Sequence, residues 1–415
     1  MSTADVVGPD RAAPIEEEEL PGGLAGLWAR AWLNLRTGNL GPLPIIVGLA
    51  FVVLLFGFTA TNFFTPVNFV NLVNETAGTT MLAFGVVFVL LLGEIDLSIA
   101  YLSGVTGVMA AEFQKPDSGH WLPGIWPIVL ALVIATAIGA FQGSFVALVG
   151  VPSFVVTLAG LLAWQGVIQV TLGAGGPIII QNKWINYTTT YFLPDNWGWG
   201  FGAALSAVYI AGIAGSVVQK RRHGVEIRYP WVVVVRALSV PAVTFLVVAI
   251  CNHDRGLPVA GLEIVLFLVG WTYVAKRTTF GRHVYAVGGN AEAARRAGIS
   301  VQRIRITVFA ISGLMAGVGG ILLAGNLNSV APDQGGGTLL LDAIAAAVIG
   351  GTSLFGGRGE VRSAMLGAAV IATIENGLYI KGYQPGVIYI TTGSILLFAV
   401  TLDTLARRRQ AKTGR

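Results

Sequence analysis

The sequence predicts an all-α polytopic membrane protein with about 12 transmembrane helices (10–12) and cytoplasmic N- and C-termini. Three observations lead there. Hydrophobic residues make up 54% of the 415 positions and charged ones only 11%. A soluble domain carries about 25% charge, so this chain cannot cover a water-facing surface of its own size. Apolar runs recur from Leu43 to Leu402, each near the roughly 20 residues that a bilayer-spanning helix needs. Finally, Lys and Arg segregate to alternate connections, as in membrane proteins whose basic loops face the cytoplasm.

Residues 1–42 hold the acidic run Glu16–Glu19 but no basic segment followed by an apolar core, so they do not read as a cleaved signal peptide. They read as a cytoplasmic tail, partly disordered, with an interfacial stretch at Leu27–Leu35 carrying Trp28 and Trp32. The membrane domain covers 43–405, and a basic cytoplasmic tail follows at 406–415. Its apolar segments lie near 43–64, 77–93, 97–113, 125–149, 152–171, 200–218, 230–250, 258–275, 306–325, 338–352, 363–380 and 386–405. Those at 97–113 and 338–352 are short and Gly-rich, which suits a broken or re-entrant helix lined by protein.

Charge tests the parity of these segments. With the N-terminus inside, 21 of the 26 Lys and Arg fall on cytoplasmic segments, Arg236 lies within a span, and only Lys115, Lys183, Arg255 and Lys381 face the other side. The pI near 9.4 therefore reads as a topological bias rather than as nucleic-acid binding. The longest external connection, 173–199, carries Trp184, Tyr187, Tyr191, Phe192 and Trp197. Such aromatics fit an interfacial belt, or a docking surface for an extracytoplasmic protein.

Several chemistries are excluded. Cys251 is the single cysteine, so neither an intrachain disulfide nor a thiolate cluster can form, and four scattered histidines show no metal-ligand spacing. No HExxH and no nucleophile–base–acid set points to an enzyme. The glycines at 350, 351, 356, 357 and 359 resemble a phosphate loop only superficially, because Gly-Lys-Ser/Thr is missing and Leu354-Phe355 occupies the centre. A polar-lined bundle with no energy source of its own reads as a transporter.

A charge at mid-bilayer costs about 2.5–3.5 kcal/mol on insertion scales, so Glu94, Asp96, Arg236, Glu263, Asp342 and Glu375 each need a partner or a function. Glu94 and Asp96 would lie about 200° apart on one helix and could not share a face unless the helix breaks at Gly93. The longest interior run rich in charge is 276–305. Within it Asn290 can cap a short helix with Glu292 in its first turn and Arg295 and Arg296 in its last, and Gly298 can stop it in a left-handed conformation. Fewer than the roughly 12–15 residues of a marginally stable isolated helix, it requires something packed on it.

Four blocks carry a family resemblance: GEIDLS at 93–98, VPSFVVTLAGLLAWQG at 151–166, FGRHVYAVGGNAEAARRAGI at 280–299 and LDAIAAAVIGGTSLFGGRG at 341–359. In order and spacing they resemble the permease subunits of ABC importers for monosaccharides. Glu94 before IDLS, the VPSF wording and an additional pair of spans near 200–250 are similar to the xylose type. Ala100 and Glu375 depart from the family pattern, which usually has Gly at the first position and Asn or Asp at the second.

The resemblance implies a bacterial inner-membrane importer of a pentose such as xylose, with two permease copies, two ATPase subunits inside and a sugar-binding protein outside. This chain would hold no cofactor, ATP being bound by the partner ATPase, and no metal. ATPase coupling would fall to Asn290, Glu292, Ala293, Ala294, Arg295 and Gly298. The translocation path would be lined weakly, with Glu94, Asp96, Ser98, Gln142, Gln165, Asp342, Thr352 and Asn376 as candidates. For each, helix–helix hydrogen bonding, often worth about 0.6 kcal/mol, is the simpler role. Another monosaccharide, a nucleoside or a branched-chain amino acid would keep the architecture; a proton-coupled carrier would use the membrane acids as a relay.

Overall fold

A computed structural model describes residues 43–225 and 230–412. The N-terminal tail, with its acidic run and the Leu27–Leu35 stretch, lies outside the described residues, as do the last residues of the basic C-terminal tail. The elements run α1 (Leu43–Thr59), α2 (Pro66–Leu91), α3 (Ile99–Phe113), α4 (Trp126–Ser144), α5 (Ser153–Leu172), β1 (Ile178–Ile179), α6 (Lys183–Thr190), β2 (Phe192–Leu193), α7 (Asp195–Arg222) and α8 (Pro230–Asn252). They continue with β3 (Leu257–Pro258), α9 (Val259–Arg277), α10 (Thr279–Gly289), α11 (Ala291–Arg296), α12 (Val301–Leu327), β4 (Ser329–Val330), α13 (Leu339–Ile349), α14 (Val361–Ile380) and α15 (Pro385–Lys412).

Each apolar segment of the sequence falls on a helix. Among the described residues, eight helices are long and apolar enough to cross a membrane, and α1, α3, α13 and the apolar part of α15 are shorter. The largest boundary shift is in α2, which begins at Pro66 rather than near 77. Thr65 caps it, accepting from the Asn68 amide, and Pro66 supplies a preset φ at the first helical position. Eleven polar-rich residues, Pro66 to Thr76, thus join the helix ahead of its apolar part.

The described residues fall into two units: 207–225 with 230–240, which are parts of α7 and α8, and 43–206 with 241–412. In the smaller unit, apolar side chains such as Val208, Val234 and Val235 are exposed, as suits helices facing lipid. In the larger unit the core is built on α12, which packs along α4, α2 and α3. Phe84, Phe88, Met81, Phe309 and Met315 are fully buried there. Trp271 meets Phe88 edge-on at 5.2 Å and donates its indole N–H to Met315 Sδ at 3.0 Å.

Close approach of α4 and α12 depends on Gly139 and Gly313, where a Cβ on either would come within 3.0 Å of the other's Cα. Lipid supplies no hydrophobic drive between helices, so such small-residue contacts carry the packing. Two short antiparallel pairs, Ile178 with Val330 and Phe192 with Pro258, fasten the connections at the far ends of these helices.

Candidate functional site

The helix breaks where the paired acids required it to. α2 ends at Leu91, Gly93 turns with φ +75°, and α3 starts at Ile99. Glu94 and Asp96 therefore leave the break in different directions. Glu94 meets Arg305 of α12 at 3.0 Å, both partly exposed. Asp96 is buried. Its Oδ1 accepts from the Ser98 amide at 2.9 Å and the Ser98 hydroxyl at 2.7 Å, and its Oδ2 accepts from Ser312 on α12 at 2.7 Å. The rest of the break is tied to α5, where Ser153 Oγ accepts from the Ile95 amide and Thr157 donates to the Ile95 carbonyl.

Gln142 on α4 completes this group, its Oε1 3.1 Å from Ser98 Oγ. A hydroxyl has one proton, and Ser98 already gives it to Asp96. Turning the Gln142 amide by half a rotation lets its N–H donate to Ser98 Oγ, and places its carbonyl where Nε2 stands without a partner. The Trp164 indole N–H, also without a partner among the described residues, crowds the same point beside Gly160. In that orientation Gln142, Ser98, Asp96 and Ser312 form a run of donors and acceptors joining α4, the break and α12.

A second polar group lies toward the other end of α2. Asn68 and Asn376 exchange two amide hydrogen bonds of 3.0 Å. Glu375 interacts electrostatically with Asp342 and Glu75, and Asp342, on the first turn of α13, is buried with Oδ1 unpartnered among the described residues. A pocket of about 190 Å³ lies against Glu75, Glu375, Asn376 and Tyr379. The sequence candidates thus separate into Asp96, Ser98 and Gln142 on one side, and Asp342 with Asn376 on the other. Thr352 is buried in the connection from α13 to α14, its hydroxyl unpartnered among the described residues, and Gln165 is half-buried on α5. Neither is hydrogen-bonded into the two groups among the bonds described. Glu75, Ser312 and Asn68 belong to these groups and were not among the sequence candidates.

The charged run 276–305 holds the whole of α10 and α11, between the end of α9 and the start of α12. In α11, Asn290 Oδ1 accepts from the Ala293 amide at 2.9 Å, and Gly298 follows the helix with φ +84°. Glu292 pairs with Arg295 at 2.7 Å and Arg296 at 3.2 Å. Glu292, Ala293, Arg295 and Gly298 are exposed, and Ala294 alone of the six is buried, so the helix shows its charged side to its surroundings.

α10 connects this surface to the break. Gly288 lies so close to the Leu91 carbonyl that a Cβ could not fit, and Leu91 accepts from the Gly357 amide at 2.9 Å. Tyr285 donates to the Gly359 carbonyl at 2.8 Å. Glu360, next in sequence, is ion-paired with Lys276 and Arg362. Burial pushes its carboxyl up, but the hydrogen bonds and charges of Arg362 and Lys276 outweigh this and hold it below the usual range.

A family model described as "Branched-chain amino acid transport system / permease component" matches residues 68–402. The chain is 35% identical to the xylose transport system permease protein XylH of Escherichia coli K12 over 381 residues, 91% of this chain and 95% of that protein. It is 32% identical to XylH of Haemophilus influenzae, over 91% of this chain and 99% of that one. It is 30% identical to the ribose import permease protein RbsC of Escherichia coli K12, over 91% and 95%. No solved structure matches the chain.

Proposed function

Because the chain belongs to the permease-component family of branched-chain amino acid transport systems, and is similar over 91% of its length to sugar permeases, we propose that it is the membrane subunit of an ABC sugar importer of the xylose/ribose type, with D-xylose as its cargo. The observation that carries the cargo is the 35% identity to a xylose permease over 91% of the chain. The 30% identity to a ribose permease keeps ribose as the second reading. Twelve crossings with both termini inside, a permease homodimer, a cytoplasmic ATPase and an extracytoplasmic sugar-binding protein complete the proposal, in the bacterial inner membrane.

In this reading α11 is the docking element, and Glu292, Arg295 and Arg296 meet the ATPase. Movement of α11 passes to α10, then through Gly288 and Gly357 to Leu91, and so to the break at Gly93. Asp96 sits three residues beyond and is bonded to α12, so a shift of the break tilts α3 against α12. That changes access along the bundle while the chemistry of the path stays weak and polar. ATP is bound by the partner, and this chain supplies only the moving parts.

Reconstitution of the permease with its ATPase and binding protein in liposomes, tested against a panel of sugars, decides the reading. ATP-dependent uptake of D-xylose supports it, and preference for D-ribose moves the cargo to the second reading. Uptake abolished by a protonophore but insensitive to ATP depletion would replace it with a proton-coupled carrier.

A further inference from the structure

A cavity of about 340 Å³ opens at the end of the bundle opposite α11. The two ends are fixed by α12, whose N-terminal part meets α11 and whose Gly325 meets Ile185 of α6. The cavity is lined by Asn71, Asn74 and Glu75 of α2, Thr189 of α6, Asn326 of α12 and Arg255. Glu75 also lines the 190 Å³ pocket beside Glu375 and Asn376, so the two spaces adjoin along one face of α2.

Two of its lining side chains are buried and each carries one polar atom without a partner among the described residues. Asn74 is 8% exposed and Thr189 2%, and neither Asn74 Oδ1 nor Thr189 Oγ1 has a hydrogen-bond partner among the described residues. A buried polar atom left unpaired costs about 1–3 kcal/mol, and a ligand that reached these two atoms would recover it. Arg255 is already occupied: it is paired with Asp254 at 2.8 Å, donates to Asn71 Oδ1 at 2.5 Å and lies 4.7 Å over the Phe192 ring. An anion entering would face Glu75, and a cation would face Arg255. A neutral ligand with several hydroxyls faces neither penalty, because each hydroxyl both donates and accepts and so suits an amide in either orientation.

We infer that this cavity is a low-affinity subsite for a neutral polyhydroxylated ligand, a monosaccharide in transit, held by Asn74 and Thr189 before it passes Glu75 into the adjoining pocket. The inference rests on the sugar-importer reading and adds to it the place where the permease itself touches the sugar. Its weakness follows from its makeup: a few single hydrogen bonds, no convergent charge and an open mouth suit capture followed by quick release.

The test uses the complete importer in liposomes, with D-xylose and D-ribose as probes. Sugar moved per ATP hydrolysed is measured beside ATPase stimulation by the loaded binding protein. Asn74→Ala and Thr189→Val are each expected to lower sugar moved per ATP about fivefold, the effect of one lost hydrogen bond. ATPase stimulation should stay within about twofold, and Thr189→Ser should restore transport. Should Asn74→Ala not assemble, Asn326→Ala takes its place under the same criteria. A change below about threefold in both variants, or an equal loss of ATPase stimulation, overturns the subsite while leaving the importer reading intact. If the parent complex moves neither sugar, the importer reading fails and the subsite with it.

Discussion

Ser312, in the middle of α12, donates its hydroxyl to Asp96 Oδ2 at 2.7 Å, joining residues 216 positions apart. This bond pins the broken segment between α2 and α3 to the helix at the centre of the core. Asp96→Ala removes the acceptor for the Ser98 amide and for two hydroxyls at once. It is expected to destabilise the permease by about 1–3 kcal/mol, since buried donors are left unpaired. Asp96→Asn keeps the size and one acceptor and should lose less. Thermal unfolding in detergent reads both, and an Asp96→Ala protein as stable as its parent would contradict the pinning role.

Glu94 and Arg305 form a partly exposed pair, so its contribution is small. Glu94→Gln should change stability by less than about 1 kcal/mol. The informative variant is the swap, Glu94→Arg with Arg305→Glu, which should recover most of what either single reversal loses. A double-mutant cycle on transport rate measures the coupling, and strictly additive losses would show that the pair does not act as one.

On α11, Glu292→Lys together with Arg295→Glu exchanges the positions of two opposite charges, leaving the net charge of the helix unchanged and keeping an internal pair. Membrane insertion should be unaffected and association with the ATPase weakened, as read by co-purification. Unchanged co-purification would remove α11 from the docking surface. Asn290→Ala, which leaves the Ala293 amide uncapped, should weaken the helix by about 1 kcal/mol and act in the same direction.

Gly288→Ala tests the route from α11 to the break. The added methyl meets the Leu91 carbonyl and would stand 2.8 Å from the Gly357 amide, so α10 must move away from α2. Overpacking of this kind costs about 1–3 kcal/mol. ATPase binding should survive while sugar moved per ATP falls several-fold; transport at the parental level would show that this contact transmits nothing.

Glu360 gives a pH dependence with a definite sign. Its folded carboxyl is held below the usual range, net of burial, by Arg362 and Lys276. The stabilisation is therefore complete above the pKa of the unfolded carboxylate, about 4.3, and is lost as pH falls through the lower folded value. Between neutrality and about pH 5 the Glu360→Gln protein should differ from its parent by a constant margin. That margin should shrink only in stronger acid, as followed by thermal unfolding across pH.

The sequence made some of this legible and hid the rest for physical reasons. α11 could be read because its signals are local: a capping Asn290, acid first and base last, and Gly298 in a left-handed turn. The divergence of Glu94 and Asp96 was readable only as a condition, a break at Gly93, because helix geometry forbids a shared face otherwise. Glu75 was missed because the run from Asn68 to Thr76 is too polar to register as membrane-spanning, although Thr65 followed by Pro66 marks a helix start. Ser312 gave no signal at all. One serine in an apolar helix is unremarkable until its partner, far away in the chain, is folded against it. Arg255 was visible as a basic residue of an external loop, and its place on a cavity wall depends on α6 and β2 folding over it.

α3 is enclosed by its neighbours for nearly its whole length, and its 15 residues rise only about 22 Å, against a hydrocarbon core of about 30 Å. Biogenesis must therefore treat it differently from the helices around it. Emerging from the ribosome, it is too short to partition into lipid unaided, and its Ser, Thr and Gly positions have no lipid to face. It can be admitted only beside α2, and its final enclosure must await α12, synthesised much later. A chain halted before α12 would leave this polar-flecked helix uncovered, a ready mark for the proteases that clear unfinished membrane proteins.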